Sequence, residues 1–218
     1  MSLARYSTAI WLALATLLPL NEGSSASAQS GAPATRPGTD LVRALRQGGY
    51  VIYFRHAASD QSASDRDRAN LDQCETQRNL TDEGRRQARE IGNAFRALGI
   101  PVGTVLASPF CRCRDTANLA FGQSERSDTL YYSIGVDPAQ RARRNADLRS
   151  LLGTAPAPGT NTILVSHHAN LKEATGAWPK QEGMAEIFRR GPGLELEHIA
   201  EVPVEAWSQW ARVSAINR

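Results

Sequence analysis

The sequence predicts an α/β domain, a mostly parallel central sheet flanked by helices on both faces. Two observations carry this reading. Apolar runs of strand length alternate with segments of helical period, the pattern of a parallel sheet buried between two helical layers. Three of those runs also end in a basic or imidazole side chain. Tyr50-Val51-Ile52-Tyr53-Phe54 delivers Arg55-His56, Thr104-Val105-Leu106-Ala107-Ser108 leads through Pro109 to Arg112, and Thr162-Ile163-Leu164-Val165-Ser166 delivers His167-His168. Open α/β sheets bind ligands outside the carboxyl ends of their strands, so these groups are expected to meet in one site.

Each element has its own signal. Residues 40–47 read as a short helix, with Thr39 or Asp40 as cap and Gly48-Gly49 as the stop. The first strand follows. Residues 58–79 are polar and aperiodic, hence a long loop, and loops of that length in compact domains are usually functional. Thr81 caps the clearest helix. Asp82 and Glu83 sit in its first turn, Ala88, Ile91, Phe95 and Leu98 form its apolar stripe, and Gly99 ends it. The second strand is 104–108, and Pro109 suits the first turn of a helix through 114–119. Asp137-Pro138 opens a helix to about Leu152, and Gly159 precedes the third strand. A short helix at 170–174, strands at 184–188 and 194–199, and a closing helix at 204–211 complete the chain. Trp178, Trp207 and Trp210 read as core or edge packing.

The chain opens as an export signal: Arg5 supplies the charge, Thr8 to Leu20 (TAIWLALATLLPL) the short apolar core, and Ala26-Ser27-Ala28 the cleavage site. Residues 1–28 are therefore expected to be removed and 29–38 to form a flexible leader, leaving 39–218 as one domain. The apolar core is too short for a comfortable membrane span, so no span is expected in the mature chain, and a periplasmic or secreted location is. A formal net charge of +3, with no basic run interleaved with aromatics, does not point to nucleic acid. Arg141, Arg143, Arg144 and Arg149 read as the solvated face of one helix. Nothing specifies an oligomeric state.

Export gives the three cysteines meaning. Cys74, Cys111 and Cys113 imply one disulfide and one leftover thiol. Cys74 can pair with either of the others, and a Cys74–Cys111 bridge would tie the 58–79 loop to the Arg112 segment. Three cysteines with no histidine at ligand spacing support a metal site poorly, and adjacent histidines such as His167 and His168 point different ways from a turn.

The chemistry follows from the four convergent groups. Two guanidiniums hold phosphate oxygens bidentately and neutralise charge in a transition state. One neutral imidazole attacks phosphorus, giving a phosphohistidine that water hydrolyses, while the second donates a hydrogen bond. Neighbouring arginines depress the nucleophile's pKa. No metal or cofactor is required. The expected partner is a small phosphorylated substrate.

Phe54-Arg55-His56-Ala57 resembles the Arg-His-Gly signature of the histidine phosphatase superfamily, the phosphoglycerate mutase-like fold. Leu80-Thr81-Asp82-Glu83-Gly84 with Gln87-Ala88 is similar to its Leu-Thr-x-x-Gly-x-x-Gln-Ala helix start. Ser108-Pro109-Phe110-Cys111-Arg112-Cys113 with Thr116-Ala117 resembles Ser-Pro-Leu-x-Arg-Ala-x-x-Thr-Ala, and Val165-Ser166-His167 resembles the second histidine motif. The resemblance spans roughly residues 40 to 190 and implies a three-layer sandwich. It also implies that His56 is the nucleophile, that Arg55 and Arg112 are phosphate clamps and that His167 is the second pocket histidine, with Ser59 and Ser62 as further phosphate contacts. A small alanine usually stands where this chain has Cys113, which favours Cys111 as the partner of Cys74.

The chain departs from the pattern in three places. Ala57 and His168 replace glycines. Leu130-Tyr131-Tyr132 stands where the family has its acid, so Asp128 and Glu182 become the nearest candidates for a general acid. An exported phosphatase working through phospho-His56 is the first expectation. A degenerate member that binds a phosphorylated envelope component without turnover is the second.

Overall fold

The computed structural model describes residues 38–216. The expected export signal, and the leader up to residue 37, lie outside them. Within the described residues, a six-stranded sheet runs in the order β3-β2-β4-β1-β5-β6. Its strands are β1 (Val51–Arg55), β2 (Val102–Ala107), β3 (Glu125–Arg126), β4 (Asn161–Ser166), β5 (Ala185–Arg190) and β6 (Leu196–Val202). β1 to β4 pair in parallel, and β5 joins β1 antiparallel. The mostly parallel sheet expected from the sequence is therefore present.

Helices cover both faces: α1 (Gly38–Arg46), α2 (Asp82–Leu98), α3 (Cys111–Phe121), α4 (Pro138–Leu152), α5 (His168–Thr175) and α6 (Val204–Ile216). The two-residue period of a strand explains the layering. Ile52 and Phe54 of β1 join one core with Phe95 of α2 and Trp207 of α6. Val51 and Tyr53 turn to a second core with Leu148 and Leu152 of α4 and Leu171 of α5. Both faces being buried, β1 reads as a continuous apolar run rather than an alternating one.

The helix signals held where chemistry fixed an end. Thr81 Oγ1 accepts from Gly84 N, and Gly99 ends α2 at φ +65°. Asp137 accepts from Ala139 N and Gln140 N, with Pro138 in the first turn of α4. Gly48 and Gly49 turn the chain out of α1 at φ +76° and +90°. Other expected ends shift. α1 begins at Gly38, so Thr39 and Asp40 lie inside it. α3 is capped by Phe110 and starts at Cys111, so Pro109 stands before the cap, outside the first turn. β3 carries no sequence signal at two residues. Trp207 is wholly buried, whereas Trp178 is 43% exposed and stacks against the Lys172 ammonium, which is 3.8 Å from its ring centre.

Candidate active site

Strand register brings the catalytic candidates together. Arg55 of β1 lies opposite Ser166 of β4, so the next residues, His56 and His167, leave neighbouring strands side by side, their ring centres 5.5 Å apart. Ala107 of β2 lies opposite Val165, which puts Ser108 at the same level. Ser108 Oγ is 2.9 Å from His167 Nε2. α3 starts three residues beyond Ser108 and swings Arg112 into the gap, where His56, Arg112 and His167 are each 1% exposed.

The turn after β1 is held on every side. Ala57 N donates to Thr116 Oγ1 (3.0 Å), and Ala58 N donates to Gln87 Oε1 (3.0 Å). Gly183 N donates to the carbonyls of Arg55 and His56. A side chain on Gly84 would collide with the Ala58 carbonyl, the physical reason for a glycine one turn into α2. Ala57 itself needs no glycine geometry, because Leu194 is the only non-glycine with positive φ among the described residues.

The His56 ring is oriented. Nδ1 lies 2.9 Å from the Ala57 carbonyl, which only accepts, so Nδ1 carries the proton and the Nε2 lone pair is free. Burial, then the Arg112 charge, holds His56 well below its ordinary pKa. His167 is lowered in the same way by burial and Arg112. Both are neutral imidazoles near pH 7.

Three arginines surround them. Arg55 Nη1 donates to the Lys180 carbonyl, and its Nη2 is 3.5 Å from Glu182 Oε1. Arg112 Nη1 pairs with Asp65 Oδ1 at 2.8 Å, and its Nη2 lies 3.4 Å from His167 Nδ1. Arg78 Nη1 donates to Gln61 Oε1 (3.1 Å). The buried Nε of all three has no hydrogen-bond partner among the described residues. Unmet buried donors on three guanidiniums are costly and suit an oxyanion. Tyr132 and Phe110 wall the His167 side at 4.7 and 5.2 Å between ring centres.

Glu182 joins the site. Its Oε1 accepts from Ser59 Oγ (2.7 Å) and Gln61 Nε2 (2.9 Å), its Oε2 accepts from Ser59 N (3.1 Å), and Oε1 is 3.8 Å from His56 Nδ1. Asp128 is elsewhere: its side chain is 77% exposed and its ion pair is with Arg126. Ser62 is exposed and bonds Asp60 Oδ1 (2.6 Å) rather than any member of the site. His168 opens α5, half-buried beside it, with its pKa lowered by burial and Arg55.

Cys74 is disulfide-bonded to Cys111, and Cys113 is the buried free thiol, its pKa pushed up to about 12 by burial. The bridge pins the far end of the 58–79 loop to the start of α3. Gln77 reinforces it, accepting from Cys111 N and donating to the Leu71 carbonyl. That loop supplies two residues the sequence reading missed, Asp65 and Arg78. Their positions depend on long-range contacts and leave no periodic signal. Arg78 was the easier to find, two residues before the Leu80-Thr81 helix start.

Residues 51–139 match the family model of the histidine phosphatase superfamily, branch 1. No curated protein sequence matches the chain. Among solved structures, a mutant of the phosphoserine phosphatase from Entamoeba histolytica in complex with phosphoserine is similar at 14% identity, covering 72% of this chain and 98% of that one, with a TM-score of 0.52. The product of open reading frame Rv3214 from Mycobacterium tuberculosis is similar at 18% identity, covering 70% and 96%, with a TM-score of 0.50. The protein histidine phosphatase SixA complexed with tungstate is similar at 15% identity, covering 71% and 97%, with a TM-score of 0.46. At these identities the likeness is one of fold. The matched segment holds Arg55, His56 and Arg112, and β4 returns His167 to them. Over residues 51–139, which carry the first histidine and both clamp arginines, the chain is similar to the histidine phosphatase superfamily.

Proposed function

We propose that this protein is an exported phosphatase that hydrolyses phosphomonoesters through a phosphohistidine on His56 Nε2, without a metal. The observation that carries the reading is the buried, neutral, proton-oriented His56 beside three guanidiniums with unmet Nε donors. In the first step Nε2 attacks phosphorus and the bond from phosphorus to the leaving oxygen breaks. The arginines balance charge on the equatorial oxygens, and Glu182 is the group placed to deliver a proton to the leaving oxygen. In the second step water attacks the phosphoryl group, the N–P bond breaks, phosphate leaves, and the water's proton returns to Glu182. Leaving groups that are stable as anions need no acid, so aryl phosphates are expected to be good substrates.

Two motives for a degenerate, non-catalytic relative weaken. Ala57 sits without left-handed strain, and Glu182 supplies a carboxylate where the family's usual position has none. The export signal at 1–28 is the basis for placing the activity in the periplasm or outside the cell, and cell fractionation tests it.

The deciding experiment is hydrolysis of an activated aryl phosphate by the purified protein, with and without EDTA, beside His56→Ala. EDTA-resistant turnover that falls at least about a thousandfold in the variant is expected for a covalent nucleophile. Wild-type protein that binds orthovanadate yet never turns over would instead make it a phosphate-binding relative.

A further inference from the structure

Arg112 is the most deeply buried cation of the site, and one carboxylate meets it. Asp65 Oδ1 is 2.8 Å from Arg112 Nη1 and also accepts from Arg78 N (3.1 Å), with the aspartate side chain 7% exposed. The Arg78 carbonyl adds a longer contact to the same Nη1 (3.4 Å). A guanidinium has one edge on which Nε–H and Nη2–H point in parallel, the fork that matches two phosphate oxygens. Nη1 is not part of it. On Arg112 the fork is what remains: Nε is buried without a partner, and Nη2 faces the His167 ring at 3.4 Å.

We propose that Asp65 is a positioning residue, whose carboxylate anchors the Nη1 corner of Arg112 so that the Nε–Nη2 fork faces the transferring phosphoryl group beside His167. This deepens the phosphatase reading and rests on it. The other placement, Asp65 on the fork itself, would make the carboxylate a competitor of phosphate; the Nη1 contact argues against it. The same carboxylate oxygen accepts from the Arg78 backbone N–H, which ties the loop that carries Arg78 to the Arg112 side chain. Orienting a clamp matters most where the phosphoryl group becomes trigonal bipyramidal, so the effect belongs to the transition state more than to bound phosphate.

Three variants of the full protein separate geometry from charge. Asp65→Asn keeps an acceptor at the same place and drops the charge. Asp65→Glu keeps the charge and moves it by one methylene. Asp65→Ala removes both. The readouts are binding of inorganic phosphate, binding of orthovanadate as a transition-state mimic, and kcat and KM on an aryl phosphate, with thermal melting as the check on folding. In Asp65→Asn the preference for vanadate over phosphate is expected to stay within about threefold of wild type. In Asp65→Glu and Asp65→Ala it is expected to fall at least about tenfold, with kcat lowered more than KM is raised. If Asp65→Ala does not fold, the Asn and Glu pair carries the test. An unchanged preference in Glu with a collapse in Asn would show that charge alone matters and overturn the proposal. So would tighter phosphate binding in Ala, the mark of a competitor, or equal loss of both ligands in every variant, the mark of a merely structural ion pair. Failure of the phosphatase reading shows separately, as wild-type protein without turnover, and the two binding measurements still decide the role of Asp65.

Discussion

His56 illustrates how one residue is tuned by what surrounds it. Its strand ends where water would otherwise reach it, Ala57 fixes its proton on Nδ1, and Arg112 makes a second positive charge unwelcome. The imidazole should therefore remain a competent nucleophile below its ordinary pKa of 6.5. After correction for the substrate's own second ionisation, kcat/KM for an aryl phosphate is expected to stay level from pH 7.5 down through 6.5. A fall centred on 6.5 would mean that His56 titrates as a free histidine. The same burial has a cost in stability with a definite sign. Below pH 6.5 the unfolded chain protonates both histidines, while folded His56 and His167 resist. The unfolded state then binds more protons, so stability drops as pH falls through 6.5 toward the lower folded pKa values. The slope approaches about 1.4 kcal/mol per pH unit for each histidine. Chemical denaturation at a series of pH values measures it, and His167→Asn should remove roughly half of the slope.

At the scale of elements, the Cys74–Cys111 bridge joins the short 3-10 turn Cys74–Thr76 of the long loop to the first residue of α3. In the chain-entropy model a closed loop of this length adds at most about 4 kcal/mol. Its local effect follows from what the loop carries: Asp65 on Arg112, and Arg78 beside both histidines. Reduction, or Cys74→Ser with Cys111→Ser, is expected to lower the melting temperature and raise KM severalfold while leaving secondary structure intact. Unchanged KM in the reduced, folded protein would mean that the loop holds its shape without the bridge. The elements divide by what fixes them. α2 and α4 were legible because caps, a first-turn proline and a glycine stop act locally. β3, with two residues paired to β2, exists only through its partner. Pro109 carries the signal of a first-turn proline, but the chain stays extended through Phe110 (φ −64°, ψ 136°) and α3 starts at Cys111. The site divides the same way. Arg55, His56, Arg112 and His167 stand at strand ends or in a short motif and were readable. Asp65 and Arg78 arrive through a loop whose path is set by a disulfide, Gln77 and an ion pair 47 residues apart in sequence.

The whole molecule separates the task of holding β1 from the task of using it. Phe54, immediately before Arg55-His56, packs at 5.9 Å from Phe95 and 6.1 Å from Trp207, and Trp207 lies 4.7 Å from Phe95. Tyr53 turns the other way, its hydroxyl donating to the His167 carbonyl (2.8 Å) from inside the second layer. One strand is thus gripped by two cores, and within them some residues touch the site directly, Tyr53 in one and Phe110 in the other, while others only support the sheet from below. Trp207 belongs to the second kind: it is wholly buried in α6 and touches aromatic rings rather than any member of the site. Trp207→Ala removes a large buried ring and should cost about 3–5 kcal/mol, a clear drop in melting temperature. Because β1 remains paired on both edges by β4 and β5, the folded fraction should keep kcat within about threefold of wild type when assayed well below the new midpoint. A loss of kcat by tenfold or more with little change in melting temperature would contradict this division. It would mean that the aromatic layer sets the position of the catalytic turn directly, and that the network Ala57–Thr116, Ala58–Gln87 and His56–Gly183 is not sufficient to hold it.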